Sequence, residues 1–415
     1  MVQLCKMQVL KKLIISSVLL ICFFIGKAQD FTDQIENTLV DAGLENVRVA
    51  HISNIYHLSF ENNIYRWNVQ AMKVVLDTIS SIVNPEDQIK ITQLRFDIPQ
   101  ITSSLQSGLW KQFRNNKLTA KQLDSAMIIS YRTNDSWSKI KKLKPLNRGT
   151  SKFDLVIYPQ FYVSNVTFDK IYEIQLNIAP ALEVSFWKGM LFTGQVIVPI
   201  VNDYGETGNL IRPGFIVLSQ NFKLANSTFI NLSAGNFNYN RYGFNFKINH
   251  HFKNERWNIG LNTGYTGLSV FSKSGWEFDE LNTLTWSINI GYFLPFYSLR
   301  FDINTGRFLR GDYGARFDLT RLFGETAIGF YAMFSTFDNI SAGEPNAGFH
   351  FSIPIPPRKR WKHRRARVIP PRYFDWEYNA GTEVKYGRYF EIRPNENRNE
   401  HYFNPVYVKS ELLKK

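Results

Sequence analysis

The sequence predicts a mainly β protein: an antiparallel transmembrane β-barrel of about 12–14 strands with a small N-terminal periplasmic α+β domain. Three observations predict it. Between residues 153 and 355, apolar and polar residues alternate in segments of about ten, the period of a strand with one greasy and one wet face. No stretch after residue 28 approaches the ~20 apolar residues of a spanning helix. Lipid admits only helices and closed barrels, because every backbone group must find a partner. Aromatic residues are abundant (34 Phe, 20 Tyr, 9 Trp), as interfacial girdles require.

Residues 1–28 read as a secretory signal peptide. Lys6, Lys11 and Lys12 precede the apolar run Leu13–Ile25, and Gly26-Lys27-Ala28 supplies small residues for cleavage. Cys22 after Leu19-Leu20-Ile21 faintly resembles a lipoprotein box, but Ile21 is a poor residue before a cut. Cys5 and Cys22 both fall in this segment. The exported chain then has no disulfide, thiolate metal site or cysteine nucleophile. The formal charge is +14, and the signal contributes four lysines and no acid, so the remainder is near +10. This excess suggests anionic partners: lipopolysaccharide, acidic glycans or nucleic acid, the last disfavoured by export.

Residues 29–138 read as the α+β domain. Asp33–Gly43 is an amphipathic helix, with Gly43 as its stop. Asn46–Ala50 and Ile55–Phe60 are strands. Tyr65–Val83 has apolar residues at helical spacing and ends before Pro85. Ile89–Ile98 alternates as a strand, and Lys121–Ser130 is a short helix. Residues 139–150 form a basic, unstructured linker.

The barrel is expected over 151–390. Its strand segments are 153–163, 171–186, 188–200, 213–224, 227–237, 240–252, 256–266, 281–294, 296–306, 312–322, 325–336 and 346–355, with one or two more near 373–387. In the 240–252 segment Tyr242, Phe244, Phe246, Ile248 and Phe252 share one face, and Asn245, Lys247, Asn249 and His251 the other. Residues 356–371 are a basic loop flanked by prolines, which cannot donate to a ladder. Residues 391–415 read as a polar tail.

The stretch Gly306-Arg307-Phe308-Leu309-Arg310-Gly311-Asp312-Tyr313-Gly314-Ala315 is a turn between two strands, with glycines where positive φ or close backbone approach is needed. With the strand ending Thr320-Arg321-Leu322-Phe323, then Ile328-Gly329-Phe330 and Phe349–Pro354, it resembles the YjbH-like family of exopolysaccharide and capsule outer-membrane proteins. Leu232–Phe237 and Arg256–Leu261 fit the same pattern. The resemblance covers most of 150–355. It departs in the acidic glycine-rich turn, which here is only Ser341-Ala342-Gly343-Glu344-Pro345. The resemblance implies an outer-membrane barrel serving polysaccharide secretion, with no established enzymatic chemistry.

The flanking strands bring Arg300, Asp302, Arg316 and Asp318 to one wet face. That set is either a cross-strand ion-pair ladder bracing the wall or a charged lumen touching glycan. Arg307, Arg310, Asp312, Lys247 and Asn249 are further lumen candidates. Arg358, Lys359, Arg360, Lys362, Arg364, Arg365 and Arg367, with His363, are either a solvated loop or a dock for phosphate or carboxylate groups. His250-His251 is no metal site, since neighbours on a strand face opposite ways. Glu173, Glu183 and Asp154 are plausible lumen carboxylates without an acid/base partner. No nucleophile elbow or phosphate loop is present, and no cofactor is expected.

The expected function is a non-catalytic outer-membrane barrel in exopolysaccharide or capsule secretion or assembly. Its expected partners are membrane lipid, polysaccharide and other export proteins. A general porin and a barrel enzyme acting on lipid or glycan are the alternatives.

Overall fold

The computed structural model describes residues 31–164, 172–224, 227–336, 345–380, 387–395 and 403–414. The signal peptide with both cysteines, residues 341–344 of the acidic turn and tail residues 396–402 lie outside the described residues.

The N-terminal domain opens with helix α1 (31–41), whose Ile35 and Leu39 are fully buried. A five-stranded sheet follows, in the order β1 (Glu45–Ile52), β2 (Ile55–Glu61), β3 (Gln88–Arg95), β4 (Ile98–Gln106), β5 (Ile128–Ser130). β2 and β3 are parallel, joined by helix α2 (Asn68–Ile82). The helix buries Val69, Met72, Val75, Leu76 and Ile79. That stripe recurs every three or four residues and faces the sheet. The expected strand over Ile89–Ile98 is a hairpin that turns at Phe96 and Asp97, both at positive φ. Its second arm, β4, leads into α3 (Ser107–Arg114), α4 (Ala120–Ala126) and α5 (Asn134–Ile140). The expected 121–130 helix is split, because Met127 leaves the helical region and 128–130 pairs with β4. Thr119 and Gln122 form a capping box at the start of α4. The linker is more ordered than its charge suggests. Asn46 N–H donates to Asn147 O at 2.6 Å, and Arg48 Nε donates to Leu143 O at 3.0 Å.

All twelve expected segments from 153 to 355 are strands: β6 (Phe153–Ser164), β7 (Glu173–Val184), β8 (Met190–Asn202), β9 (Arg212–Leu224), β10 (Thr228–Phe237), β11 (Arg241–His251), β12 (Trp257–Ser272), β14 (Thr283–Leu294), β15 (Leu299–Arg307), β16 (Tyr313–Phe323), β17 (Thr326–Thr336) and β18 (Pro345–Pro354). Each pairs antiparallel with the next. The stretch between the expected segments 256–266 and 281–294 is itself a hairpin: β12 is longer than predicted and pairs with β13 (Gly275–Phe278).

The 15-stranded sheet ends on β19 (Ala366–Ile369) and β20 (Tyr373–Asn379). β19 runs parallel to β6, and β20 runs antiparallel to β18. They are consecutive pieces of one segment, so the two ends of the sheet meet on it. Twelve alternating strands leave the thirteenth running in the direction of the first, which makes the β19–β6 pairing parallel. Among the described residues the hydrogen-bonded order runs from β19 to β20 without a ladder between those two, so the large antiparallel sheet is present and no closed ring of strands is seen. Pro370 and Pro371, between β19 and β20, have no N–H to donate. Beyond the break the Trp376 indole donates to Phe161 O at 3.1 Å and packs on its ring. The prolines that were expected to bound a loop therefore interrupt a strand, and the end of the basic tract belongs to the sheet.

The two faces of this sheet are inverted relative to a water-soluble one. Phe244, Ile259, Leu261, Phe301, Ile303, Phe317 and Phe330 are exposed. Asn177, Gln195, Ser219, Ser233, Asn245, Asn258, Ser287 and Thr320 are buried. No described helix is long and apolar enough to cross a membrane, which leaves strands untested.

The chain returns to the N-terminal domain at its end. Within the expected polar tail, α6 (Pro405–Leu412) places Tyr407, Val408 and Leu412 in the core of that domain, beside Val69, Met72 and Trp110. Composition hid this helix, because its few apolar residues complete a core made elsewhere. Leu412→Ala should cost about 2–5 kcal/mol, read as a lower denaturation midpoint of the N-terminal domain, while exposed Lys117→Ala leaves it unchanged.

At the end of β2, Glu61 accepts from Asn46 Nδ2 at 2.6 Å, Phe96 N at 2.5 Å and Asp97 N at 3.1 Å. Burial, reinforced by nearby Glu45, outweighs these donors and pushes its carboxyl above the ordinary 4.5. The stability that follows is present below 4.5 and is lost as the pH rises through the raised value. Melting temperature should fall over that rise in the wild type, and Glu61→Gln should remove the slope.

Candidate functional site

Alternation sends one residue in two of every strand inward, and on β9 to β15 many of these are Asn or Ser. Asn221 and Asn231 pair at 3.0 Å, Ser219 and Ser233 at 2.8 Å, and Asn245 and Asn262 at 2.8 Å. Asn258 Nδ2 donates to Asn249 at 3.3 Å and to Asn289 at 3.0 Å, and Asn289 donates onward to Asn304 at 3.1 Å. The ladder needs space between strands. A Cβ on Gly291 would stand 2.3 Å from Asn258 Oδ1, so a larger residue there would push that amide out of its place in the ladder.

The charged wall adjoins this ladder. Arg300 grips Asp302 with both sides of its fork, at 2.6 and 2.7 Å. Arg316 does the same to Asp318 at 2.8–3.1 Å, reaches Glu377 on β20 at 2.9 Å, and lies 3.9 Å over the Tyr331 ring. The expected cross-strand ladder is thus corrected. The pairs run along each strand, two residues apart, because the register sets Asp302 directly opposite Asp318. Like charges opposite one another repel, so each aspartate needs an arginine on its own strand. The Arg316–Glu377 bridge crosses elements, as does the approach of His350 Nε2 to Asp318 at 3.8 Å.

The interior is occupied. Residues 387–395 run through it: Phe390 stacks on Phe237 at 4.7 Å, inside a cluster with Phe215, Val217, Leu309 and Ile392. The 308–312 turn holds this segment. Asp312 accepts from Gly387 N at 2.7 Å, Leu309 N donates to Arg388 O at 3.0 Å, and the Phe308 ring meets Tyr389 at 4.8 Å. The turn predicted by the glycines exists, with Gly311 at φ +84°, and it folds inward. Lys247, Asn249, Arg300, Asp302, Arg316 and Asp318 converge on one cavity of about 330 Å³ whose far wall is residues 387–392. Arg307 and Arg310 instead line an open depression at the rim, and Asp312 is buried under the internal segment. At the end remote from the N-terminal domain, Tyr158, Tyr162, Tyr239, Trp276, Trp376 and Tyr378 line a cavity of about 820 Å³.

The basic tract is divided by burial. Its backbone pairs with the N-terminal domain: Arg66 N–H donates to Arg358 O at 2.9 Å, and Arg360 N–H to Ile64 O at 2.8 Å. Arg360 and Arg367 are buried. Arg360 donates to Pro370 O at 2.8 Å, and burial with the neighbouring Arg372 and Arg367 pushes its guanidinium down to about 9. Arg367 forks onto Asp154 at 2.6 and 3.0 Å, where His363 also binds at 2.8 Å. These residues join the domain to the sheet, so neither a solvated loop nor a surface dock describes them. Arg358, Lys359, Lys362, Arg364 and Arg365 are exposed; Lys359 lies 5.3 Å over Tyr65, and Lys362 faces Asp41 at 3.7 Å. Arg66 forks onto Glu325 at 2.5 and 2.9 Å, and Lys223 Nζ donates to Gln100 O, Tyr131 O and Thr133 Oγ1.

The remaining sequence candidates are engaged. Glu183 accepts from the Tyr158 hydroxyl at 2.6 Å. His250 meets Thr228 at 2.8 Å, and His251 stacks on Tyr131 at 4.0 Å. Glu173 lines the outer cavity. Among the described residues no group of three His, Cys, Asp or Glu is placed to hold a metal ion. Sequence reasoning missed the internal segment and the aromatic cavity. The signal for the first was Tyr389-Phe390-Glu391-Ile392, a largely apolar stretch across the boundary between the expected barrel and the polar tail.

The family model YjbH, described as exopolysaccharide biosynthesis protein YbjH, matches residues 26–214 and 214–358. No curated protein and no solved structure matches the chain.

Removing one partner from a buried ion pair strands the others. Arg316→Ala should therefore destabilise the sheet by about 3–5 kcal/mol, and Arg316→Met/Asp318→Asn/Glu377→Gln should recover much of that loss, measured by thermal unfolding in detergent.

Proposed function

The chain belongs to the YjbH exopolysaccharide biosynthesis family, and from that premise we propose that it is a non-catalytic outer-membrane barrel taking part in the secretion or assembly of an exopolysaccharide. The observation that carries the proposal is the inversion of the large sheet. A sheet with Phe244, Phe317 and Phe330 outward and asparagine, serine and paired charges inward is stable where the outside is hydrocarbon. In water the same exposed face would be an aggregation hazard.

In this reading the N-terminal domain lies in the periplasm, and the end carrying the aromatic cavity opens away from it. Asparagine amides, arginine forks and aromatic faces match a hydroxyl-rich polymer, through hydrogen bonds to its hydroxyls and stacking on its rings. Among the described residues no acid/base pair stands poised on a nucleophile, which supports binding and guidance over bond cleavage. The internal segment counts against a permanently open porin, since passage requires that residues 387–395 move. Partners are membrane lipid, the polysaccharide and export proteins that meet the N-terminal domain.

The test is deletion of the gene with complementation by wild type and by Phe330→Arg, scoring surface polysaccharide and the amount of protein in the outer membrane. Phe330 sits mid-strand and is exposed. Arginine at a lipid-facing site near the bilayer midplane costs about 2–4 kcal/mol, so the variant should assemble poorly and restore little polysaccharide. Full function with Phe330→Arg would remove the membrane reading, and unchanged polysaccharide in the deletion would remove the secretion reading.

A further inference from the structure

Where the N-terminal domain meets the inside of the large sheet, Arg95, Arg360, Arg372 and Arg393 line one cavity of about 170 Å³. They come from four places: the end of β3, the basic tract, the break between β19 and β20, and the internal segment. Four guanidinium groups so close repel unless acids or an anion lie between them.

Four acids share the wall: Glu61, Asp154, Glu183 and Asp375. Three have partners of their own, and of these Glu61 and Glu183 still act electrostatically on Arg95. Glu61 takes three donors from Asn46 and the 96–97 turn. Asp154 is held by Arg367 and His363, and Glu183 by the Tyr158 hydroxyl. Asp375 offsets part of the charge. Arg360 and Arg372 spend donors on backbone carbonyls of Pro370, Asn62 and Arg66. Arg95 and Arg393 differ. Among the described residues Arg95 makes no hydrogen bond or close ion pair, feels Glu183 and Glu61 at longer range, and rests 5.2 Å over the Phe96 ring. The Nε of Arg393 is buried with no acceptor.

We propose that this cavity is a binding site for a single oxyanion group, a carboxylate or a phosphate, held between the Arg95 and Arg393 guanidinium groups. Arginine forks match the two oxygens of such groups bidentately. The space far exceeds the ~10–15 Å³ that one water requires. Burial, together with Arg393 and Arg372, outweighs Glu183 and Glu61 and holds the Arg95 guanidinium well below its usual range. Arg393 ends the internal segment, so a bound anion ties that segment to the N-terminal domain. The site stands on its own residues and does not require polymer to cross the sheet.

The purified full-length protein in detergent is titrated with inorganic phosphate, with a glucuronate oligosaccharide and with a neutral glucose oligosaccharide, reading heat of binding and melting temperature. At least one anionic probe should bind saturably and raise the melting temperature, and the neutral one should do neither. Tighter glucuronate binding identifies an acidic sugar as the source, and tighter phosphate binding a phosphoryl group. Arg95→Gln and Arg393→Gln should each weaken binding about 10- to 100-fold, while Arg132→Gln, on the exposed surface, leaves it unchanged. In anion-free buffer Arg95→Gln should raise the melting temperature by relieving repulsion. Absence of saturable anion binding, equal weakening by Arg132→Gln, or a lower anion-free melting temperature for Arg95→Gln would each overturn the proposal.

Discussion

A polar group shut away from water costs more than the hydrogen bond it forgoes. The enclosed face of the large sheet is built of such groups, and the rest of the structure follows from keeping them paired. The asparagine ladder passes donors and acceptors from Asn249 through Asn258 and Asn289 to Asn304. Where charge replaces amides, Arg300 and Arg316 each bind the aspartate two residues along the same strand. Gly291 exists because an amide on the facing strand needs its room. A polar interior of this kind is rigid only when complete, so substitutions along it propagate through shared partners.

The same demand explains the ends of the molecule. The segment that completes the sheet is broken by two prolines, and the unfilled ladder is bridged by the Trp376 side chain. The apolar residues of segment 387–395 bury themselves against Phe215, Val217 and Phe237, making a small greasy island inside a polar enclosure. The 308–312 turn reaches inward to grip it. The family-like motif is therefore a clasp, in which Phe308, Leu309 and Asp312 bind the internal segment and the glycines allow the tight turn.

Two surfaces join the N-terminal domain to the sheet. One is polar and charged: Arg66 with Glu325, Lys223 with three oxygens, and Arg367 with Asp154. The other is apolar, where Phe293 and Leu322 from the sheet enter the same core as Tyr407 and Leu412 of α6. The C-terminal helix thus ties the last residues of the chain to the first domain.

The strands of the large sheet were legible because alternation is local: Phe244, Asn245 and Phe246 declare two faces whatever surrounds them. The α2 helix and its stop before Pro85 were legible for the same reason. Convergence of Lys247, Asn249, Arg300, Asp302, Arg316 and Asp318 also followed from facing, since strands in one sheet present like positions to one enclosure. Pairing did not follow. Which carboxylate Arg316 holds depends on register and on β20, which arrives from a distant part of the chain. The burial of Arg360 and Arg367 within a tract that reads as solvated, and the placement of α6 and residues 387–395, were decided by tertiary structure. Each depends on a surface that exists once the other elements have folded, and no periodicity within a short polar segment encodes a complementary surface hundreds of residues away.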